Sequence, residues 1–412
     1  MKKKPFYGWF ALSGAVLVTF LVGGAFINAF GVFLPIFSDK LGWSRADASL
    51  ALSLGMIAFG LPSMFYSAMV NRFGARFTIF LGNLLAGFGV ASLYFVNEIW
   101  QLYLIYIFIG AAAGFGGYIA CTTIANNWFV KKRSLAMSII TAATGVGGLV
   151  FPPICTALIN GIGWRGTWLV LAVVVALAAI IAGWLLVRNK PEDLGQEPDG
   201  EASPVFAPDR PALNTGGTKI WSLKYIITMP ITLLILGFVI ANAFAMGTVN
   251  AHQIAYMKDI GYNAMTAATT MSVMSVFSLI GSLGFGSLAL KISMRYLASA
   301  GLLCEVIGFV MLLTTKNLTL LFVYTGFMGL GTGALFAAMP SFLGAYYPRE
   351  RYAQVTGLVL PFHVVAQAVI SWVVGEIHDA TGKYTLAFLI LAIFALAGSV
   401  CAYFARPPQH IQ

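Results

Sequence analysis

Twelve stretches of roughly 20 mostly apolar residues follow one another along this chain, and no other property of it restricts the fold as strongly. They cover 8–35, 46–70, 77–96, 100–126, 134–160, 166–187, 225–250, 263–290, 296–315, 319–345, 352–377 and 383–405. Within hydrocarbon every backbone N–H and C=O must be bonded inside the protein, which leaves only helices and closed barrels. Barrel strands would show strict alternation over ~10 residues, and no segment here alternates at that length. The stretches are therefore read as transmembrane helices. Composition agrees: 59% of residues are hydrophobic and 9% charged, against about 25% charged in a soluble domain, and the mean hydropathy is +0.86. The expected class is an all-α, multi-pass protein whose main solvent is the lipid bilayer.

Orientation follows from Lys and Arg, which favour cytoplasmic loops. With the N-terminus inside, only six of the 24 cations, Lys40, Arg45, Arg165, Lys258, Lys316 and Lys383, fall in outer loops. Both termini are expected in the cytoplasm, with the chain in the cell (inner or plasma) membrane. The first span follows Lys2, Lys3 and Lys4 like a signal peptide, but it is too long and no small-residue cleavage site follows, so it is expected to be retained. The net charge of +10 then reflects topology and anionic headgroups rather than nucleic-acid binding. Cys121, Cys155, Cys304 and Cys401 lie inside spans at wide spacing, which suggests neither a disulfide framework nor a metal site.

The chain reads as two related halves. The segment 188–222, rich in Pro, Gly and charge, divides 1–187 from 223–412, six spans from six. At a shift of 218 to 219 residues "GWSRADASLALS" (42–53) meets "GYNAMTAATTMS" (261–272), Arg72 and Arg76 meet Lys291 and Arg295, "FVKKR" (129–133) meets "YPRER" (347–351), and Tyr118 meets Phe336. Repeats of this kind are one architecture of secondary transporters, with the substrate near the midplane between halves.

The 6+6 layout resembles the major facilitator superfamily over essentially the whole chain. Its loop signature G-x-x-x-D-R-x-G-R-R is degraded in "SAMVNRFGARF" (67–77), which keeps Arg72, Gly74 and Arg76 but places Asn71 at the acid. A weaker copy is "GSLALKISMR" (286–295). A narrower resemblance, to the monocarboxylate-transporter branch that includes oxalate/formate antiporters, rests on "YGWFAL" (7–12), "GWSRADASLALS", "WFVKKRSLAMS" (128–138) and "PEDLGQEPDG" (191–200). The resemblance implies a twelve-helix fold of two pseudo-two-fold bundles. It also implies a conformational latch at Arg72, Gly74, Arg76, Lys131, Lys132 and Arg133, and a cavity lined by helices one, four, seven and ten.

No Lys or Arg lies well inside any span. Members of the branch commonly place a carboxylate-binding arginine in helix eight, where "TMSVMSVFSLIGSLGFG" (270–286) has no basic residue and offers only hydroxyl side chains. His363 lies about 11 residues, ~17 Å, into helix eleven, two residues after Pro361. With Gln367 and Ser371 it forms one face at i, i+4 and i+8. A neutral imidazole donates to a carboxylate and a protonated one carries the coupled proton; satisfaction by a neighbouring helix is the alternative. Tyr118, Thr122 and Asn126 make a similar stripe on helix four, and Asn28 is a lone amide in helix one flanked by Gly24 and Gly31. By resemblance these contact substrate, with Phe336 as an opposite wall; ordinary interhelical hydrogen bonding is the other reading. His252 near the outer end of helix seven is either a gate residue or a proton site. Glu305, deep in helix nine, is either a protonated acid bonded within its own half or a coupling group.

P-loop, H-E-x-x-H and G-x-S-x-G patterns are absent, so no enzyme activity, metal or cofactor is expected, and transport would run on an ion gradient or exchange. The leading expectation is alternating-access symport of a small organic anion, a lactate- or pyruvate-like monocarboxylate, with H+ by a monomer. An oxalate/formate-like exchanger, a carrier of a neutral or hydrophobic solute, and a non-transporting receptor are the alternatives.

Overall fold

The computed structural model describes residues 5–43, 45–200, 226 and 228–407. Lys2, Lys3, Lys4 and the linker from 201 to 225, with Arg210, Lys219 and Lys224, lie outside the described residues. Among the described residues every regular element is helical. Ten helices are long and apolar enough to cross a bilayer, and a pair bent by 48°, Leu50–Gly60 with Ser63–Phe73, supplies an eleventh span. The stretch Arg133–Leu186 runs 54 residues, about 81 Å at 1.5 Å per residue, against a hydrocarbon thickness of ~30 Å. It is two spans, divided at Gly163, where φ is 76°. Among the described residues the total is twelve.

Helix one comprises Gly8–Leu21, a π-helical turn Val22–Asn28 and Phe30–Leu41. Helix two is Arg45–Gly60 with Ser63–Phe73, helix three Ala75–Ser92, and helix four Ile99–Gly116 with Tyr118–Trp128. Helices five and six are the two parts of Arg133–Ala179, the sixth ending in a π-helical turn, Ile180–Leu186. Helices seven to twelve are Pro230–Asp259, Ala264–Leu288, Met294–Thr314, Leu318–Tyr346, Tyr352–Thr381 and Thr385–Phe404. Their starts are capped by side chains at matching places: Glu98 opens helix four with Gln101 in a capping box, and Asn317 opens helix ten by accepting from the Thr319 N–H at 2.9 Å.

The chain divides into two compact units, residues 1–200 with 349–361, and residues 201–348 with 362–412, so the division falls within helix eleven at Pro361. Inside the first unit helix two packs on four, three on four and on the five–six stretch, and one on that same stretch. Inside the second, eight packs on ten, nine on ten and twelve, and seven on twelve. These are the same pairings at the repeat interval. The first core is aromatic, with Phe33 stacked on Trp168 at 3.8 Å between ring centroids; the second gathers Phe309, Tyr324 and Phe388.

Turn geometry carries the repeat further than the residue matches do. Gly42 and Gly261 both have positive φ, 71° and 99°, and so do Gly163 and Gly382, at 76° and 68°. Both pairs sit at the repeat interval, in the turns after helices one and seven and after five and eleven. At such φ any Cβ is strained, so glycine is the residue each turn demands. The copies differ in regularity. Helices one, two and four are interrupted at the π-turn, at Leu61–Pro62 and at Gly117, whereas seven, eight and ten run continuously. The interruptions coincide with the pairs Gly23-Gly24 and Gly116-Gly117 and with Pro62, residue types that bend helices.

Candidate functional site

Unit 1 carries polar groups on helix four just beyond its break. Gly117 has φ −101° and ψ −115° and ends Ile99–Gly116, so Tyr118 starts a new helical segment in mid-span. The Tyr118 side chain is half-buried. Thr122 is fully buried and its hydroxyl donates back to the Tyr118 carbonyl at 2.8 Å, which occupies its proton within its own helix. Asn126 is different: it is 0% exposed, and neither its Nδ2 nor its Oδ1 has a hydrogen-bond partner. Burying an amide unsatisfied costs about 1–3 kcal/mol, so the position holds an unused donor and acceptor. Asn28 closes the π-helical turn of helix one, and its side chain lies outside the described residues.

The candidate latch residues of unit 1 are tied to the linker end of that unit. Gly74, at φ 83° and ψ 153°, joins helices two and three. The Arg76 side chain donates to the carbonyls of Gly183 at 3.1 Å and Trp184 at 2.8 Å and lies over the Trp184 ring. Its partners are thus in its own unit. Arg72 is exposed and rests over Phe73. The loop bearing Lys131, Lys132 and Arg133 is held by a linker acid: Asp199 accepts from the backbone N–H groups of Val130 at 2.9 Å, Lys131 at 2.6 Å and Lys132 at 3.3 Å. Lys132 extends over Trp9, and Arg133 Nε donates to the Phe129 carbonyl at 3.3 Å. Asn127 donates to the Asn189 carbonyl and accepts from Arg349, which also grips Glu192. The residues 188–200, read as the start of a linker, therefore fold into unit 1.

In unit 2, helices seven and eleven run alongside in the same direction. The His363 ring approaches the Val239 backbone, and eight residues on Ser371 donates to the Gly247 carbonyl at 2.9 Å. A Cβ on Gly247 would come within 2.5 Å of the Gln367 carbonyl, so glycine there permits the approach. The stripe His363, Gln367 and Ser371 is present on one face, and its Ser371 end is packed on helix seven. His363 is 8% exposed, with Nδ1 buried and without a hydrogen-bond partner. Gln367 is half-buried, and so is Phe336 on helix ten.

Both nitrogens of His252 are engaged. Nε2 lies 2.7 Å from the Ser371 carbonyl, which can only accept, so Nε2 carries the proton and Nδ1 is left to accept from the Tyr384 hydroxyl at 3.3 Å. This arrangement favours the structural alternative for His252. Glu305 is fully buried; Oε1 accepts from Asn242 Nδ2 at 3.0 Å, and Oε2 has no partner. Both Asn242 and Glu305 belong to unit 2, so the bond that holds Glu305 lies within its own half. A further buried chain was not visible in the sequence: the Tyr324 hydroxyl donates to Gln253, whose amide donates to Thr270, linking helices ten, seven and eight. Its members are far apart in the chain, and nothing in their local sequence pairs them. The four cysteines are free.

The sequence profile described as Major Facilitator Superfamily matches residues 15–304 and 236–412. Similar proteins include monocarboxylate transporter 13 of Bos taurus, 27% identical over 95% of this chain and 88% of that protein. Monocarboxylate transporter 12 of Homo sapiens is 23% identical over 97% of this chain and 80% of its own length. Among solved structures, the E. coli fucose:proton symporter FucP superposes with a TM-score of 0.72 over 97% of this chain and 100% of that one, at 14% identity, a likeness of fold. Twelve helices in two repeated units, with a profile that spans both, make the assignment: the chain belongs to the Major Facilitator Superfamily, as a multi-pass membrane transporter of a small solute rather than an enzyme.

Proposed function

We propose that the protein carries a small monocarboxylate together with a proton, by alternating access. The observation that carries this reading is His363: a titratable ring, buried in a membrane span, with Nδ1 lacking any partner. Polar groups are expensive in hydrocarbon and persist where they serve a function. Neutral, with its N–H turned to the Val239 backbone, the ring leaves Nδ1 as an acceptor only; protonated, Nδ1 gains the N–H that a carboxylate can accept, the charge it needs and the proton that travels with it. Asn126 adds an unengaged amide in unit 1, and the acids on helices one and two, Asp39 and Asp47, sit in end turns rather than at mid-span. Similarity to monocarboxylate transporters along nearly the full chain supports the substrate class. Tyr118 and Phe336 are the proposed aromatic walls, with Asn28, Thr122 and Gln367 as further contacts. The proposal places both termini in the cytoplasm of the cell membrane and takes the monomer as the working unit.

A second reading, a neutral or hydrophobic organic solute, is favoured by one observation: helix eight, Ala264–Leu288, contains no Lys or Arg to hold a carboxylate. Purified protein in liposomes, offered labelled lactate, pyruvate, acetate, oxalate and neutral solutes, separates the two. The proposal expects saturable uptake of a monocarboxylate that rises with an inward proton gradient. Uptake of neutral solutes alone would establish the second reading, and oxalate–formate counterflow indifferent to pH would establish exchange.

A further inference from the structure

A cavity of about 260 Å³ opens at the linker end of unit 1, lined by Phe73, Phe77, Phe80, Trp184, Arg76 and Asn189. It takes no part in the transport chemistry considered above. Its level in the membrane is set by the spans that border it. Arg76 is the second residue of the apolar span Ala75–Phe95, and Arg188 comes two residues after the end of Arg133–Leu186. The cavity therefore lies where hydrocarbon gives way to headgroups. Its aromatic wall faces outward: Phe73 is 47% exposed, Phe77 45% and Trp184 60%.

Two guanidinium groups meet beside this wall. Arg76 Nη2 and Arg188 Nη1 both donate to the one carbonyl oxygen of Trp184, at 2.8 and 3.2 Å. Two like charges drawn to a single acceptor repel each other, and among the described residues neither has a carboxylate partner. Arg76 spends Nε and Nη2 on carbonyls and keeps the N–H groups of Nη1 unspent; Arg188 spends only Nη1. Positive charge, spare donors in planar forks and a missing counter-ion make an anion site, for which phosphate is well matched. A soluble phosphate would use the guanidinium groups alone. The exposed aromatic wall at interfacial depth adds a surface for acyl chains.

We propose that the pocket lined by Arg76, Phe77 and Trp184, with Arg188 beside it on the Trp184 carbonyl, binds an anionic phospholipid, its phosphate on the two arginines and its chains along the aromatic wall. Basic pockets between helix ends are the kind of place where such headgroups lodge. The lipid would neutralise the arginine pair and brace the ends of helices three and six, so it would stabilise unit 1 whatever solute the protein carries.

Native mass spectrometry of the full-length protein tests this, because it counts lipid on folded particles only. The probes are phosphatidylglycerol, phosphatidylcholine and, as a chain-free phosphate, glycerol 3-phosphate. Phosphatidylglycerol is expected to bind most tightly, Arg188→Gln to weaken it about fivefold, as loss of one interfacial cation implies, and Arg188→Lys to weaken it less. Arg295→Gln, at the repeat counterpart of Arg76 in unit 2, is expected to leave it unchanged. Equal binding of phosphatidylcholine, equal binding of glycerol 3-phosphate, or an Arg188→Gln protein that holds phosphatidylglycerol as before would each overturn the proposal.

Discussion

Arg349 grips Glu192 with two hydrogen bonds, Nη1 to Oε1 at 2.7 Å and Nη2 to Oε2 at 3.3 Å, across 157 residues of chain and within one folded unit. Partial burial pushes the Glu192 carboxyl up, but the bond from Arg349, with the charges of Arg349 and Lys190, outweighs it and holds the group below its ordinary value. A carboxyl depressed in the folded state adds stability above its unfolded value, and that stability fades as pH falls through the lowered folded value. The Glu192 side chain is 52% exposed, so the pair contributes no more than about 1 kcal/mol. Glu192→Gln is expected to lower the thermal midpoint slightly at neutral pH, with the difference from the parent closing in acid. A difference independent of pH would show that the ion pair is not its source.

Asp199 has a left-handed backbone, φ 59°, while its carboxylate receives three successive N–H groups of the loop 130–132. Asp199→Ala both removes that acceptor and places alanine in a conformation that it disfavours, at a cost of about 2 kcal/mol or more. Asp199→Gly removes only the acceptor and should cost less. Trypsin cleavage at Lys131 and Lys132 reads the loosening directly: it is expected to be fastest in the alanine variant and slowest in the parent.

Twelve helices and a two-fold repeat were legible in the sequence because hydrophobic length and recurrent loop patterns are local properties. The interruptions of helices one and four were not, although Gly23-Gly24 and Gly116-Gly117 were in plain view. Glycine in a span serves close packing or bending equally well, and sequence alone does not choose. The stripe Tyr118, Thr122 and Asn126 follows from helical spacing. That Asn126 alone lacks partners depends on what neighbouring helices place around it. The ordering of 188–200 was hidden for the same reason, since its Pro, Gly and charge have the composition of a tether while Glu192 and Asp199 find partners far along the chain.

An asparagine buried with both amide atoms unbonded weakens the fold unless it is removed or used. Asn126→Leu is expected to raise the thermal midpoint, or leave it unchanged, while cutting the transport rate at least tenfold, since an apolar replacement of similar size removes the buried amide. A variant that loses stability and transport together would instead mark Asn126 as structural.

Asn242 and Glu305 form a buried pair at 3.0 Å inside unit 2. Asn242→Leu leaves both oxygens of Glu305 unbonded and should cost about 1–3 kcal/mol. Adding Glu305→Leu should recover part of that loss, and a double-mutant cycle on thermal midpoints measures the coupling. Additive losses would mean that the two side chains do not depend on each other.

The central claim, that a carboxylate and a proton cross together by way of His363, is tested most directly by recording lumenal pH with a trapped dye when lactate is added outside proteoliposomes. Protein-dependent acidification, beyond that of empty liposomes, is the predicted result, and His363→Gln should abolish it while the protein stays folded. Labelled lactate entering without any acidification beyond the empty-liposome control, or acidification that survives His363→Gln unchanged, would contradict the account.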